Sequence, residues 1–106
     1  MRLSRHAVAI GVLLAASGQA VAAEHAVTMA GGQYAPQKLT VAPGDTVRFV
    51  NDDTADHNVF APTGGLAFDL GKLEPGQEAT YAFVKAGTYD VECVFHPHML
   101  TVVEVR

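Results

Sequence analysis

The chain has 106 residues, a formal net charge of −4 and one cysteine, Cys93. That length builds one small domain, the lone cysteine excludes an intrachain disulfide, and the acidic balance argues against nucleic acid as a partner. With 49% hydrophobic and 17% charged residues, the composition is that of a folded chain rather than a disordered one.

The N-terminus opens with Arg2 and Arg5, continues through an apolar run from Ala7 to Ala16, and ends in Ala20-Val21-Ala22-Ala23. This is the pattern of a cleaved secretory leader. The apolar run is far shorter than the ~20 residues that cross a bilayer as a helix, so no membrane anchor is expected. Cleavage is placed after Ala23, with Val21 and Ala23 at the small-residue positions; cleavage after Ala22 is nearly as good. Arg2 and Arg5 are not adjacent, against a twin-arginine signal, and no Cys follows to accept a lipid. Residues 1–23 are thus read as signal peptide and 24–106 as the domain, with five Lys and Arg against 11 Asp and Glu, a charge of −6. A bacterial periplasm is the expected destination. There an unpaired thiol is at risk, so Cys93 should be buried or used.

From Ala26 onward apolar residues recur with a period of two and no stretch sustains a helical period. Val47 and Phe49, Tyr81 and Phe83, and Tyr89, Val91 and Cys93 each alternate with polar or small residues, which gives strands with one buried face. Strands are predicted at 25–30, 38–42, 46–51, 57–60, 67–70, 78–84, 88–94 and 100–105. Pro43-Gly44 and Pro75-Gly76 are turns with a mechanism, since Pro presets φ and Gly accepts the positive φ that follows. Seven or eight short strands with frequent turns predict an all-β sandwich or barrel.

Chemistry concentrates in Cys93-Val94-Phe95-His96-Pro97-His98-Met99. Cys93 continues the inward register of Tyr89 and Val91, His96 lies on the connection to the next strand, and Met99 begins that strand. A thiolate, an imidazole and a thioether that converge form a soft donor set, favouring copper over magnesium, calcium or manganese. A trigonal site with a weak axial Met needs a second imidazole. His57 is the candidate, at the head of the short strand His57-Asn58-Val59-Phe60.

At these residues the chain resembles the cupredoxins, within them the plastocyanin, pseudoazurin and amicyanin group of blue copper proteins. The matches are Asp56-His57-Asn58-Val59, Gly87-Thr88-Tyr89, the Cys93 to Met99 loop, and the turns at Val41 to Val47 and Leu73 to Gly76; they extend over residues 26–106. The resemblance implies a Greek-key β-sandwich, one type 1 copper ion, and single-electron transfer between redox partners such as a c-type cytochrome or a dehydrogenase, by a monomer rather than an enzyme. It makes His57, Cys93 and His96 the strong ligands and Met99 the axial one. It also gives Asn58 a supporting role, its side chain tying the His57 loop to the Cys93 loop and its N–H directed at the sulfur. Pro97 lies in the ligand loop beside His96. Two positions depart from the family pattern. Phe95 stands where the short loop often has Pro, and its N–H could point at the Cys93 sulfur; His98 adds an imidazole that is either solvated or an alternative ligand.

Plainer roles exist for several of these residues. Cys93 alone would be a small buried hydrophobe, and Met99 alone core packing. Tyr89 is expected in the core with its hydroxyl bonded to backbone in the manner of a tyrosine corner. His25 is expected exposed, and Asp52, Asp53 and Asp56 form either a solvated loop or a docking rim. The rival function is copper delivery or scavenging. A cysteine-histidine hydrolase fails because Cys93 lies at no helix N-terminus and no Gly-rich anion hole follows it; zinc would gain little from a thioether.

Overall fold

The computed structural model describes residues 21–62 and 64–106; the leader expected at the N-terminus lies almost wholly outside the described residues. Strands run β1 Glu24–Ala30, β2 Gln33–Ala35, β3 Lys38–Val41, β4 Asp45–Asn51, β5 His57–Ala61, β6 Phe68–Leu73, β7 Glu78–Phe83, β8 Gly87–Glu92 and β9 Leu100–Val105, with one 3₁₀ turn at Gly64–Leu66. They form a four-stranded sheet in the order β2-β1-β4-β7 and a five-stranded sheet in the order β3-β9-β8-β5-β6. Pairings β1 with β4 and β3 with β9 are parallel; the rest are antiparallel.

The period-two pattern is realised in β4, where Asp45, Val47, Phe49 and Asn51 are buried and the residues between them are half-buried. Val27, Met29, Val47, Phe49 and Phe83 of the first sheet meet Val41, Val59, Tyr89, Val91, Val103 and Val105 of the second in one core. Both Pro-Gly turns form as read, with Gly44 at φ 95° and Gly76 at φ 85°; they are closed by Asp45 N–H on Ala42 C=O (3.0 Å) and Gln77 N–H on Glu74 C=O (2.9 Å). Tyr89 donates its hydroxyl to Lys85 C=O at 2.7 Å, as expected for a tyrosine corner.

The all-β sandwich stands, with nine strands among the described residues instead of seven or eight. The extra one is β2, three residues that lie between the predicted strands 25–30 and 38–42 and belong to neither. It pairs with β1 and buries Tyr34 at 1% exposure. Tyr81, expected inside, is only half-buried, because β7 is an edge strand and the ring covers Phe68 in a stack with centroids 3.9 Å apart.

Candidate metal centre

Cys93 directly follows β8 in its inward phase and is 1% exposed. Two consecutive tight turns then carry the chain to β9: His96 N–H donates to Cys93 C=O (3.3 Å), and Met99 N–H to His96 C=O (2.9 Å). Each turn spans four residues, so Cys93, His96 and Met99 stand at its corners. Pro97 occupies the second position of the later turn, where its fixed φ fits. This is the physical content of the three-residue spacing.

His57 opens β5 opposite Leu73 of β6. Strict alternation would bury only every other residue, yet His57, Asn58 and Val59 are buried in succession. The register slips between Asn58 and Phe60, and such a bulge turns adjacent side chains to the same side. His57 is thereby fully enclosed, at 0% exposure.

The donor atoms of three residues converge. His57 Nδ1 lies 3.1 Å from His96 Nδ1 and 3.8 Å from Cys93 Sγ, and His96 Nδ1 lies 3.7 Å from the sulfur; His57, Cys93 and His96 form a group able to hold a metal ion. A triangle with those sides has a circumradius of about 2.1 Å, the usual bond length from a transition-metal ion to imidazole nitrogen. Met99 is buried at 1% in the same core cluster as Cys93.

Asp53 sets which nitrogen of His57 is free. Its Oδ2 lies 2.9 Å from His57 Nε2 and accepts Gly32 N–H at 2.9 Å. The His57 hydrogen bond, then the N–H groups of Gly32 and Thr54, hold the Asp53 carboxyl down at about 2, so it is ionised and can only accept. The proton of neutral His57 therefore sits on Nε2, leaving the Nδ1 lone pair facing Cys93 and His96; a carboxylate on the far nitrogen is the usual support of a metal-binding histidine. Asn51, buried at 0%, shapes the loop. Its Nδ2 donates to Ala55 C=O (2.9 Å) and Leu73 C=O (2.8 Å), and its Oδ1 accepts Asp53 N–H (3.0 Å). Sequence reading missed both roles. The available signal was an Asp four residues before a His, which only the loop fold makes meaningful.

Asn58 links the two ligand segments. Its backbone N–H donates to Cys93 Sγ (3.4 Å), its Oδ1 accepts Val94 N–H (2.7 Å), and its C=O accepts the Tyr34 hydroxyl (2.7 Å). Burial pushes the pKa of that hydroxyl above its ordinary range, so it stays a donor. Phe95 departs from the reading in which its N–H reaches the sulfur: among the described residues the amide bonded to Sγ is that of Asn58, and Phe95 is 50% exposed. His98 donates Nε2–H to Gly32 C=O at 3.0 Å, which removes that nitrogen as an alternative ligand. His25 is not free on the surface but lies 2.9 Å from Asp45 Oδ2. Lys72 is within ion-pair reach of Asp56 at 3.8 Å, so the acidic loop is split between a half-buried support, Asp53, and outer charges.

A two-sheet sandwich that gathers two imidazoles and a cysteine sulfur at one end defines a narrow class. A family profile described as a cupredoxin-like domain matches residues 5–103, and the chain belongs to that family. Amicyanin of Paracoccus denitrificans is 36% identical over 76 residues, 69% of this chain and 58% of its own length. Pseudoazurin of Methylorubrum extorquens is 34% identical over 97 residues, 85% of this chain and 63% of its own length. The chain therefore spans about three fifths of the length of these curated relatives. Among solved structures, the Cu(I) form of an amicyanin variant superposes with a TM-score of 0.74 at 35% identity, covering 86% of this chain and 89% of that one.

Proposed function

We propose that this protein is an exported type 1 copper protein that carries single electrons between redox partners in the periplasm, with His57, Cys93 and His96 as strong ligands and Met99 as the axial one. The observation that carries this reading is the triangle of donors, whose centre is one metal-ligand bond length from two imidazole nitrogens and a thiol sulfur. Bound copper would supply a one-electron couple between Cu(II) and Cu(I), which this soft, mixed donor set tolerates in both states.

The chain's own groups do the rest. Asp53 holds His57 Nδ1 unprotonated toward the centre, and the Asn58 N–H draws electron density from the Cys93 sulfur. Enclosure of His57 and Cys93, at 0% and 1% exposure, keeps water from adding as a further ligand. His96 is only half-buried and is surrounded in sequence by exposed Val94, Phe95 and Leu100, so its ring edge is the natural route for the electron. Redox proteins such as a c-type cytochrome or a dehydrogenase would be the partners, and the working form a monomer.

The test is titration of the purified apoprotein with Cu(II), followed by visible spectroscopy and voltammetry. One equivalent should develop an intense visible charge-transfer band and a fast reversible wave. Colourless binding, or copper that exchanges freely to a chelator at neutral pH, refutes the electron carrier and points to delivery.

A further inference from the structure

At the end of β4 remote from the donor cluster, Asp45 is 7% exposed and takes three partners. Its Oδ2 accepts Ala42 N–H (3.0 Å) and lies 2.9 Å from His25 Nε2; among the described residues its Oδ1 accepts the backbone N–H of Ala23 (2.9 Å). Ala23 also accepts Thr46 N–H on its C=O at 3.0 Å. Residue 23 thus sits just before β1 yet already belongs to the fold, whereas Val21 is 91% exposed.

Resting on the export reading above, we infer that the leader is removed at the Ala22–Ala23 bond and that the new α-ammonium of Ala23 locks onto Asp45. Hydrolysis adds water across that bond: its oxygen goes to the Ala22 carbonyl carbon, and the Ala23 nitrogen becomes a primary amine, protonated at neutral pH. A neutral N–H donor against a sheltered carboxylate becomes a charged one at the same place, which strengthens the bond. Cleavage one residue later removes Ala23, takes away the N–H that Oδ1 accepts and deletes the bond to Thr46. The sequence agrees, since Ala20-Val21-Ala22 places alanine at both small-residue positions before the bond. Of two cut sites that the leader pattern leaves nearly equal, the one before Ala23 therefore keeps the bonds that the fold makes to that residue.

In the uncleaved chain the Ala23 amide already makes this bond to Asp45 and β1 is already paired with β4; release adds a charge to the existing bond. The titratable group facing Asp45 is His25, from β1; the Ala42-Pro43-Gly44 turn carries none, and on the β7 side Asp45 pairs with Phe83. Lys85 beyond Phe83 and Arg106 beside Val41 make no ion pair with Asp45 among the described residues.

The experiment is intact-mass analysis of full-length protein expressed with its leader and recovered from the periplasm, followed by amine labelling at neutral pH. A mass beginning at Ala23, with the α-amine labelled several-fold more slowly in wild type than in Asp45→Asn, is the expected result. A mass beginning at Glu24 overturns the inference and leaves export intact; an unprocessed chain overturns the export reading itself. Should Asp45→Asn not fold, a chain retaining Ala22 replaces it. Equal labelling rates and equal melting temperatures for that chain and the Ala23 form overturn the lock.

Discussion

Asn58→Ala tests the link between the two ligand segments. Asn58 is 5% exposed, and its Oδ1 accepts Val94 N–H at 2.7 Å; truncation leaves that donor without a partner in a place only partly open to water. An unsatisfied donor costs about 1–3 kcal/mol, and the partial burial puts this one in the lower half, roughly 1.5 kcal/mol. Against a total stability of about 5–15 kcal/mol that is a large fraction. With m near 1.5 kcal/mol per M for so small a domain, the urea midpoint of the apoprotein falls by roughly 1 M with m unchanged. The bond to sulfur comes from the Asn58 backbone, so the copper-loaded variant keeps its colour. Asn58→Asp keeps an acceptor oxygen and regains most of the midpoint. A shift below roughly 0.3 M in Asn58→Ala, or no recovery in Asn58→Asp, refutes the reasoning that one side-chain oxygen joins the His57 and Cys93 segments.

Cys93→Ser removes the thiolate and should abolish the intense visible band and sharply weaken copper binding, while circular dichroism of the apoprotein stays native; a retained band eliminates the type 1 assignment. Met99→Leu should keep copper and colour and raise the potential measured by voltammetry, because losing a weak donor destabilises Cu(II) more than Cu(I); loss of copper would make Met99 a strong ligand instead. Acid should destabilise the apoprotein in a defined window. Asp45, held low chiefly by His25, and Asp53, held low chiefly by His57, both sit at about 2, whereas unfolded aspartate takes its proton near ~3.9. Their stabilisation is complete above that value and is lost as pH falls toward the folded pKa. Melting temperatures that stay flat between about pH 4 and 2 contradict it.

What was legible in the sequence follows from what is local. Alternation in Val47 and Phe49, or in Tyr89, Val91 and Cys93, is a property of neighbouring residues, and the Pro-Gly turns carry their φ values with them. The Cys93 to Met99 spacing was readable for the same reason, since two four-residue turns are contained within seven residues. His57 was reachable because a site with one thiolate and one imidazole lacked a nitrogen, although its full burial depends on a bulge that no spacing announces. The missed features are those whose partners are distant in the chain. Asp53 looked like one solvated acid among three until Gly32 and His57 closed on it, and β2 fell in the gap between two predicted strands until β1 paired with it and Tyr34 reached Asn58. The same tertiary closure explains why Phe95 and His98, conspicuous departures in sequence, carry no bond to the sulfur. Asn58 N–H already holds the sulfur, and Gly32 C=O already holds His98 Nε2. A buried polar atom satisfied from across the fold has no need of its sequence neighbour, so the support of this centre comes from Asn58 of β5, from Gly32 and Tyr34 at and before β2, and from the loop after β4 rather than from the ligand loop itself.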